Sequence, residues 1–228
     1  TKLTGLDLSE NRINSVFLNG ERYNCGICVL AVGNGARDTY RMLLEQPLQI
    51  APKPFSVGFR MEHLQEDINH AMYGDFADML PAADYSFSKV FDKAKGCAAY
   101  TFCMCPGGQV VAAASEPGGV VVNGMSEHAR DQANANSALL VQVTPADYGS
   151  GPFDGMRFQE ELEHRAFVMG GSSYRAPAQQ VRDFLAHRPS LEIGEVAPSY
   201  ARGVTLCDLH DLFPAAISTA LEEGLGHF

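Results

Sequence analysis

A pair of thiols lies in the least charged part of the chain. Residues 97–126 carry one formal charge, Glu116, and contain Cys103 and Cys105. Residues two apart on a strand face the same way, so the pattern predicts that both thiols line one wall. Ligand sites are mostly apolar with a few fixed polar groups, and a thiol in such a wall could lend a proton or polarise a bound molecule. Because buried cysteines also pack as small apolar side chains, a place in the core remains the alternative.

A polar segment follows this apolar stretch. Residues 123–136 contain amide, hydroxyl and guanidinium side chains at Asn123, Ser126, Arg130, Asn134 and Asn136. Because they come directly after the apolar stretch, we expect them to face a bound molecule. Asparagine and glycine are also frequent in turns, so a solvated loop remains the alternative.

Cysteine spacing gives only a weak indication of metal or redox chemistry. Cys25 and Cys28 have the spacing of such a site, but Cys28 lies in an apolar run. A redox pair needs a helix N-terminus to lower its thiol pKa. A zinc site made of Cys25, Cys28, Cys103 and Cys105 would lack a second C-x-x-C pair. We therefore predict no metal site.

A glycine turn, Gly33-Asn34-Gly35, follows the apolar run and precedes a helical pattern. Such turns can direct backbone N–H groups toward a phosphate or another polar ligand. The dinucleotide fingerprint G-x-G-x-x-G is incomplete here, because position 38 is aspartate. An ordinary structural turn remains the alternative.

The overall charge excludes some classes of partner. The formal net charge is −10 at pH 7, whereas a nucleic-acid or anionic-membrane surface needs a basic face.

No run approaches the roughly 18 apolar residues of a membrane span, and the first residues lack the apolar segment of a secretion signal. The six cysteines form no regular framework, so we expect a reduced, cytoplasmic setting. Because the chain begins at Thr1 rather than methionine, we expect a piece of a longer protein.

Periodicity and turn residues predict an α+β fold. Asn19-Gly20 indicates a hairpin whose second arm continues into a buried strand at 27–32, before a helix at 36–46. Further strands are predicted at 55–61, 98–104, 109–114, 119–123 and 139–143. Helices are predicted near 64–72, 157–169, 177–187 and 214–223. Residues 126–138 are expected to form a loop or a short helix. Together these predict a mostly antiparallel twisted sheet with helices packed on one face, after a hairpin, strand and helix.

Several runs together resemble a known family. VLAVGNGARDTYRMLLE, residues 29–45, looks like the late strand–glycine–helix element of large FAD-dependent dehydrogenases. FCMCPGG at 102–108 and NGMS…R…NANS at 123–137 are similar to the segment that follows it in an uncharacterised bacterial group of these flavoproteins. The family's N-terminal strand with G-x-G-x-x-G and its closing glycine-rich flavin segment have no counterpart in these residues.

The resemblance implies an internal piece of an FAD-dependent oxidoreductase. Residues 1–51 would be a remnant of the FAD-binding domain, 52–212 an inserted substrate or cap domain, and 213–228 a terminal helix returning toward the FAD domain. The parent dehydrogenase would transfer hydride between an unknown organic substrate and FAD. Its partners would be that small molecule and the missing FAD-domain segments. The isolated chain would be inactive and would not bind FAD tightly.

The resemblance also implies roles for particular residues. Gly33, Asn34 and Gly35 would bind the cofactor. The wall facing the flavin would hold three catalytic candidates, Cys103, Cys105 and Arg130, and four substrate-binding candidates, Asn123, Met125, Ser126 and Asn136. Arg130 would hold an anionic group of the substrate, since guanidinium suits carboxylates, or would support the loop. The alternative is a non-catalytic binding module, or a homodimer formed through the exposed edge of the hairpin.

Overall fold

A computed structural model describes residues 1–10, 12–92 and 97–228 of the chain. These residues divide into two compact units, Thr1–Pro52 and Lys53–Phe228. The assignment of the first segment to an FAD-binding domain, and of the last helix to a return toward that domain, stays a prediction. No helix in the described ranges has both the length and the apolar character needed to cross a membrane.

The first unit contains an antiparallel sheet and one helix. Its strands are β1 (Leu3–Ser9), β2 (Arg12–Leu18) and β3 (Glu21–Asn24), hydrogen-bonded in that order, and its helix is α1 (Arg37–Leu44). The two-residue turn between β2 and β3 has φ of 50° at Asn19 and 87° at Gly20. Both residues tolerate positive φ, which this tight hairpin turn requires. The predicted hairpin is therefore confirmed.

The strand predicted at residues 27–32 is wrong. β3 ends at Asn24, and the run that follows has neither strand nor helix structure. Its side chains are exposed, with Ile27 and Val29 each at 85%. A strand needs a partner for its backbone groups, and none of the described residues 1–52 pairs with this run. The apolar side chains of residues 27–32 suggested burial, but no described part of their own unit covers them.

The second unit is built on a four-stranded antiparallel sheet. Its strands are β4 (Phe55–Leu64), β5 (Ser88–Asp92), β6 (Cys97–Cys105) and β9 (Asn134–Val143), in the order β4-β9-β6-β5. Two smaller sheets accompany it: antiparallel β7 (Gly108–Ala112) and β8 (Val122–Ser126), and parallel β10 (Ala176–Ala178) and β11 (Val204–Leu206). The predicted α+β class with antiparallel sheets is confirmed.

The helices of this unit include two long ones and several short ones. They are α2 (Gln65–Tyr73), α3 (Pro145–Tyr148), α4 (Asp154–Met169), α5 (Val181–Leu185) and α6 (Ala215–Leu225), with 3-10 turns at Gly74–Met79 and Leu209–Asp211. The helix predicted at 177–187 is wrong over its first half. Pro177 lies in β10, where it pairs with Thr205, and only the later residues are helical.

The predicted boundaries around β8 and β9 also need correction. The strand expected at 119–123 begins at Val122 and continues through Ser126. Residues 126–138 were expected to form a loop or a short helix, but the last five of them belong to β9, which begins at Asn134. β9 is an inner strand of the sheet, flanked by β4 on one side and β6 on the other. Its early residues, although polar, are buried, and elements outside this sheet, among them β7, β8 and α2, contact β9.

The core forms where α6 packs on β6 and β9. Leu139 on β9 and Leu221 on α6 are both fully buried, and Ala99 of β6 lies beside them in the same cluster. The predicted stripe of Ile217, Ala220 and Leu221 is confirmed, since all three are buried. This packing fixes the sheet on which the polar residues described below are arranged.

Asp183 on α5 is a buried carboxylate whose partners make stability depend on pH. It accepts hydrogen bonds from Ser190 Oγ at 2.7 Å and from Arg188 Nε at 2.9 Å. The Ser190 hydroxyl, helped by the Arg188 guanidinium, lowers the pKa of this carboxyl. A lowered folded-state pKa stabilises the fold above the unfolded value of about 3.9, and this contribution is lost as pH falls through the folded pKa.

Asp183→Asn is therefore expected to lower the free energy of unfolding at neutral pH and to reduce its fall on acidification. Urea unfolding across the acidic range measures both effects. Asp84→Asn serves as the control, since Asp84 is exposed. Equal behaviour of the two variants would contradict the role given to Asp183.

Candidate functional site

A half-buried guanidinium, that of Arg60 on β4, is the centre of a polar cluster. Its Nη1 donates to Asn136 Oδ1 at 2.6 Å and to the Cys103 carbonyl oxygen at 3.2 Å. Its Nη2 donates to Asn123 Oδ1 at 3.1 Å. Cys105 Sγ lies 3.9 Å from Nη1. We call these five residues the Arg60 cluster.

Strand register explains why these residues meet. Asn136 on β9 is opposite Glu62 of β4 on one side and Cys105 of β6 on the other. Arg60 is two residues before Glu62, so it shares a sheet face with it. Asn123 arrives from β8 of the neighbouring sheet. Four strands that are distant in sequence therefore supply the cluster.

Gly124 makes room for this arrangement. A Cβ atom at this position would lie 2.1 Å from Asn136 Oδ1 and 2.2 Å from Arg60 Nη1. Both distances are far below contact distance, so a side chain larger than hydrogen would displace the guanidinium or the amide. The absence of a side chain at position 124 is what allows β8 to approach β4 and β9.

The two cysteines do not share one wall as the sequence predicted. A bulge between Phe102 and Cys105 interrupts the pairing of β6 with β9, and Cys103 has φ of 50°. The extra residue breaks the alternation of side chains along the strand. As a result the side chain of Cys103 is exposed and that of Cys105 is buried, while the Cys103 carbonyl is the group that reaches Arg60.

Burial raises the pKa of the Cys105 thiol above its ordinary value, although the Arg60 guanidinium opposes the shift. The thiolate is the nucleophilic form of cysteine. Cys105 therefore stays protonated at neutral pH, and its Sγ–H donates to the Cys103 carbonyl at 3.3 Å. Its chemistry in this cluster is that of a weak hydrogen-bond donor.

Arg60 has no anionic partner among the described residues. The ion pairs formed in those ranges do not include it, and its hydrogen-bond acceptors are three neutral oxygens and the sulfur of Cys105. Asn136 is fully buried, and its Nδ2 has no hydrogen-bond partner among the residues that the structure describes. The cluster thus offers a guanidinium charge that is hydrogen-bonded to neutral groups and that no carboxylate of the described residues neutralises.

The other predicted site residues lie apart from these contacts. Ser126 Oγ donates to the Pro106 carbonyl at 2.6 Å, which closes the turn between β6 and β7. The Met125 side chain is mostly exposed. Arg130 lies in an exposed loop and borders a separate cleft with Gln65 and Asn69. The structure therefore brings together Cys105, Asn123 and Asn136 with the Cys103 carbonyl, but not Arg130.

The turn Gly33-Asn34-Gly35 precedes α1 in the first unit, as predicted. The first turn of α1 carries Asp38, whose Oδ1 accepts from the Thr39 N–H at 2.8 Å. Lys2 Nζ lies 2.7 Å from the other oxygen of Asp38, and this hydrogen bond lowers the pKa of the carboxyl. A phosphate at this helix end would meet the Asp38 carboxylate, which already accepts a backbone amide. The cofactor-binding role of Gly33, Asn34 and Gly35 stays a prediction.

Sequence reasoning missed Arg60, although the signal was present. It is the only charged residue in the run Phe55–Met61, which was itself predicted to be extended. A charged side chain in such a strand must find partners or face a cavity. Arg130 was predicted instead because it is closer in sequence to the asparagines.

Comparison with known proteins identifies relatives of this chain. The family model described as "FAD-dependent protein, C-terminal domain-like" matches residues 54–228, which is more than half of the chain. An uncharacterized protein of Clostridium beijerinckii is 46% identical over 231 residues, and the alignment covers 100% of this chain and 43% of that protein. The chain therefore spans less than half the length of this relative.

Proposed function

Because the chain belongs to the family of FAD-dependent proteins that share this C-terminal domain, we propose that it is part of a longer FAD-dependent oxidoreductase. Residues 52–212 would form the substrate or cap domain, and residues 1–51 would belong to the FAD-binding domain. The size of the Clostridium beijerinckii relative supports this proposal, since 57% of that protein lies outside the alignment (100% minus the 43% covered).

The Arg60 cluster is the proposed substrate-binding site. The observation that carries this proposal is the half-buried guanidinium with three neutral acceptors and no ion pair in the described ranges. Guanidinium binds carboxylate and phosphate groups through directed, charge-assisted hydrogen bonds. The substrate would therefore carry such an anionic group, and Arg60 takes the role that the sequence suggested for Arg130.

The remaining residues of the cluster position Arg60. Asn136 and Asn123 hold the two terminal nitrogens of the guanidinium through their Oδ1 atoms. FAD, when bound in the intact protein, supplies the hydride chemistry, and the protein supplies binding and orientation. Cys105 stays protonated at neutral pH, so its contribution is a hydrogen bond rather than a covalent step.

Replacing Arg60 with glutamine is expected to weaken the binding of small carboxylates and of phosphate to this chain. The probes are succinate and inorganic phosphate, titrated by calorimetry at low ionic strength. We expect the affinity to fall about tenfold or more, since a hydrogen bond to a charged group contributes about 1.5–3 kcal/mol.

Arg130→Gln is the matched control, because it removes the same charge from an exposed loop. It should leave anion affinity nearly unchanged. If Arg130→Gln weakened binding more than Arg60→Gln, or if the unmodified chain bound neither anion saturably, the site would be wrongly assigned.

A second candidate function, a binding or dimerisation module, is favoured by one observation. Residues 27–32 expose four large apolar side chains, Ile27, Val29, Leu30 and Val32. An apolar run of this kind can pair with another chain. Sedimentation at several concentrations separates the two proposals: a dimer that Val29→Asp converts to monomer supports the module, and a monomer throughout removes it.

A further inference from the structure

Two imidazoles and a carboxylate meet in the second unit, away from the Arg60 cluster. His187 follows α5, His210 lies in the 3-10 turn Leu209–Asp211, and Glu222 is near the C-terminal end of α6. His210 Nε2 is 2.7 Å from Glu222 Oε1, and His187 Nε2 is 3.5 Å from Glu222 Oε2. The three potential ligand atoms all lie within 4.8 Å of one another.

The orientation of His210 is fixed by its surroundings. Its Nδ1 is 2.7 Å from Asp208 Oδ1, and the same oxygen accepts from the His210 backbone N–H at 3.0 Å. The ring of Phe184 stacks on it with centroids 4.1 Å apart, and the ring of His187 stacks at 4.6 Å. A carboxylate on the far nitrogen of a histidine is the arrangement that holds metal-binding imidazoles in place.

We propose that His187, His210 and Glu222 bind a divalent transition-metal ion, with Zn²⁺ as the preferred ion. Imidazole and carboxylate together suit zinc and its first-row neighbours, whereas Mg²⁺ and Ca²⁺ require oxygen ligands. Among the described residues this is the one group of three ligand side chains brought close enough to share an ion, and it includes no cysteine.

Metal binding requires the His187 ring to turn out of its stack on the His210 ring, in which the two ring planes are 24° apart. Zinc binds histidine nitrogen at about 2.0–2.1 Å and carboxylate oxygen at about 2.0–2.2 Å, so the ligand atoms must draw together. His187 is the ligand that can move, because 65% of its side-chain surface is exposed. The side chains of His210 and Glu222 are only 19% and 23% exposed. Three protein ligands leave a fourth tetrahedral position for water.

A bound ion would connect three segments that are far apart in the sequence. Because it binds the folded state, it raises thermal stability by mass action. This inference is independent of the proposed oxidoreductase function, since neither the Arg60 cluster nor the flavin enters the argument.

Calorimetry with Zn²⁺ and absorption spectroscopy with Co²⁺ test the proposal on the tag-free, reduced chain. We expect saturable binding and a higher melting temperature with zinc, and a cobalt spectrum free of thiolate charge-transfer bands. His187→Ala and Glu222→Gln should each weaken Zn²⁺ binding by about 10- to 100-fold or more, the range for losing even a supporting residue of a metal site. His128→Ala, which removes an exposed histidine elsewhere, should leave the affinity unchanged.

Each other outcome would overturn the proposal. The absence of saturable zinc binding would contradict it, and so would thiolate bands in the cobalt spectrum. Equal losses in His128→Ala and His187→Ala would indicate non-specific binding. Asp208→Asn provides a second check, since it leaves all three ligands in place and should still weaken zinc binding by about 10- to 100-fold.

Discussion

Replacing Leu221 with alanine is expected to lower the free energy of unfolding by about 2–5 kcal/mol, the usual range for this change in a packed core. Leu221 has 0% exposure and belongs to the cluster that joins α6 to β6 and β9. The neighbouring side chains are held by the sheet and cannot collapse fully into the cavity. Urea unfolding followed by circular dichroism measures the change.

Leu191→Ala is the matched control, because Leu191 is 90% exposed. The same deletion there should alter the free energy of unfolding by less than about 0.5 kcal/mol. A loss at Leu221 no larger than the loss at Leu191 would mean that α6 does not form the core described above.

Gly124→Ala is expected to lower the affinity for succinate and phosphate by about tenfold or more, as Arg60→Gln does. The added Cβ would overlap Asn136 Oδ1 and Arg60 Nη1, at 2.1 Å and 2.2 Å. The guanidinium must then leave the position that its three acceptors define. Calorimetric titration of the variant measures the loss.

Gly26→Ala is the control for this substitution, since a Cβ at position 26 would have no atom within 4 Å. Its anion affinity should equal that of the unmodified chain. A Gly124→Ala variant that bound anions normally would show that the close approach of β8 does not position Arg60.

The spacing of apolar side chains was enough to predict two elements of the fold, α6 and β4. The stripe of Ile217, Ala220 and Leu221 identified α6 and its buried face correctly. Phe55–Met61 was correctly predicted to be extended, as part of β4. In these segments the side-chain period alone distinguishes helix from strand, so no knowledge of distant contacts is needed.

Identical dipeptides show where local reasoning stops. Asn19-Gly20 forms a tight turn between β2 and β3, as predicted. For Asn123-Gly124 the same turn preference suggested a solvated loop as the alternative, yet this dipeptide lies inside β8. The second pair is decided by a tertiary contact, because Gly124 must accommodate Arg60 and Asn136.

The candidate site was predicted only in part for a similar reason. Cys105, Asn123 and Asn136 do gather, but around a residue of β4 that precedes Asn136 by 76 positions. The register of β4 with β9, which places Arg60 opposite Ala138, could not be deduced from either strand alone. The bulge at Cys103 likewise depends on how β6 pairs with β9.

The group formed by His187, His210 and Glu222 had no sequence signal. Its members come from three segments, and no short metal-binding motif links them. The packing of α6 against the rest of the second unit is what brings Glu222 to the two histidines. Such a group becomes visible only when the fold is known.

Flavin content shows whether residues 1–228 are part of an FAD-binding protein. This chain and the protein encoded by its complete reading frame would be purified side by side, and the visible flavin absorbance of each compared with its protein concentration. We expect stoichiometric FAD in the complete protein and none retained by residues 1–228. Flavin held tightly by this chain alone, or a complete protein that binds no flavin, would contradict it.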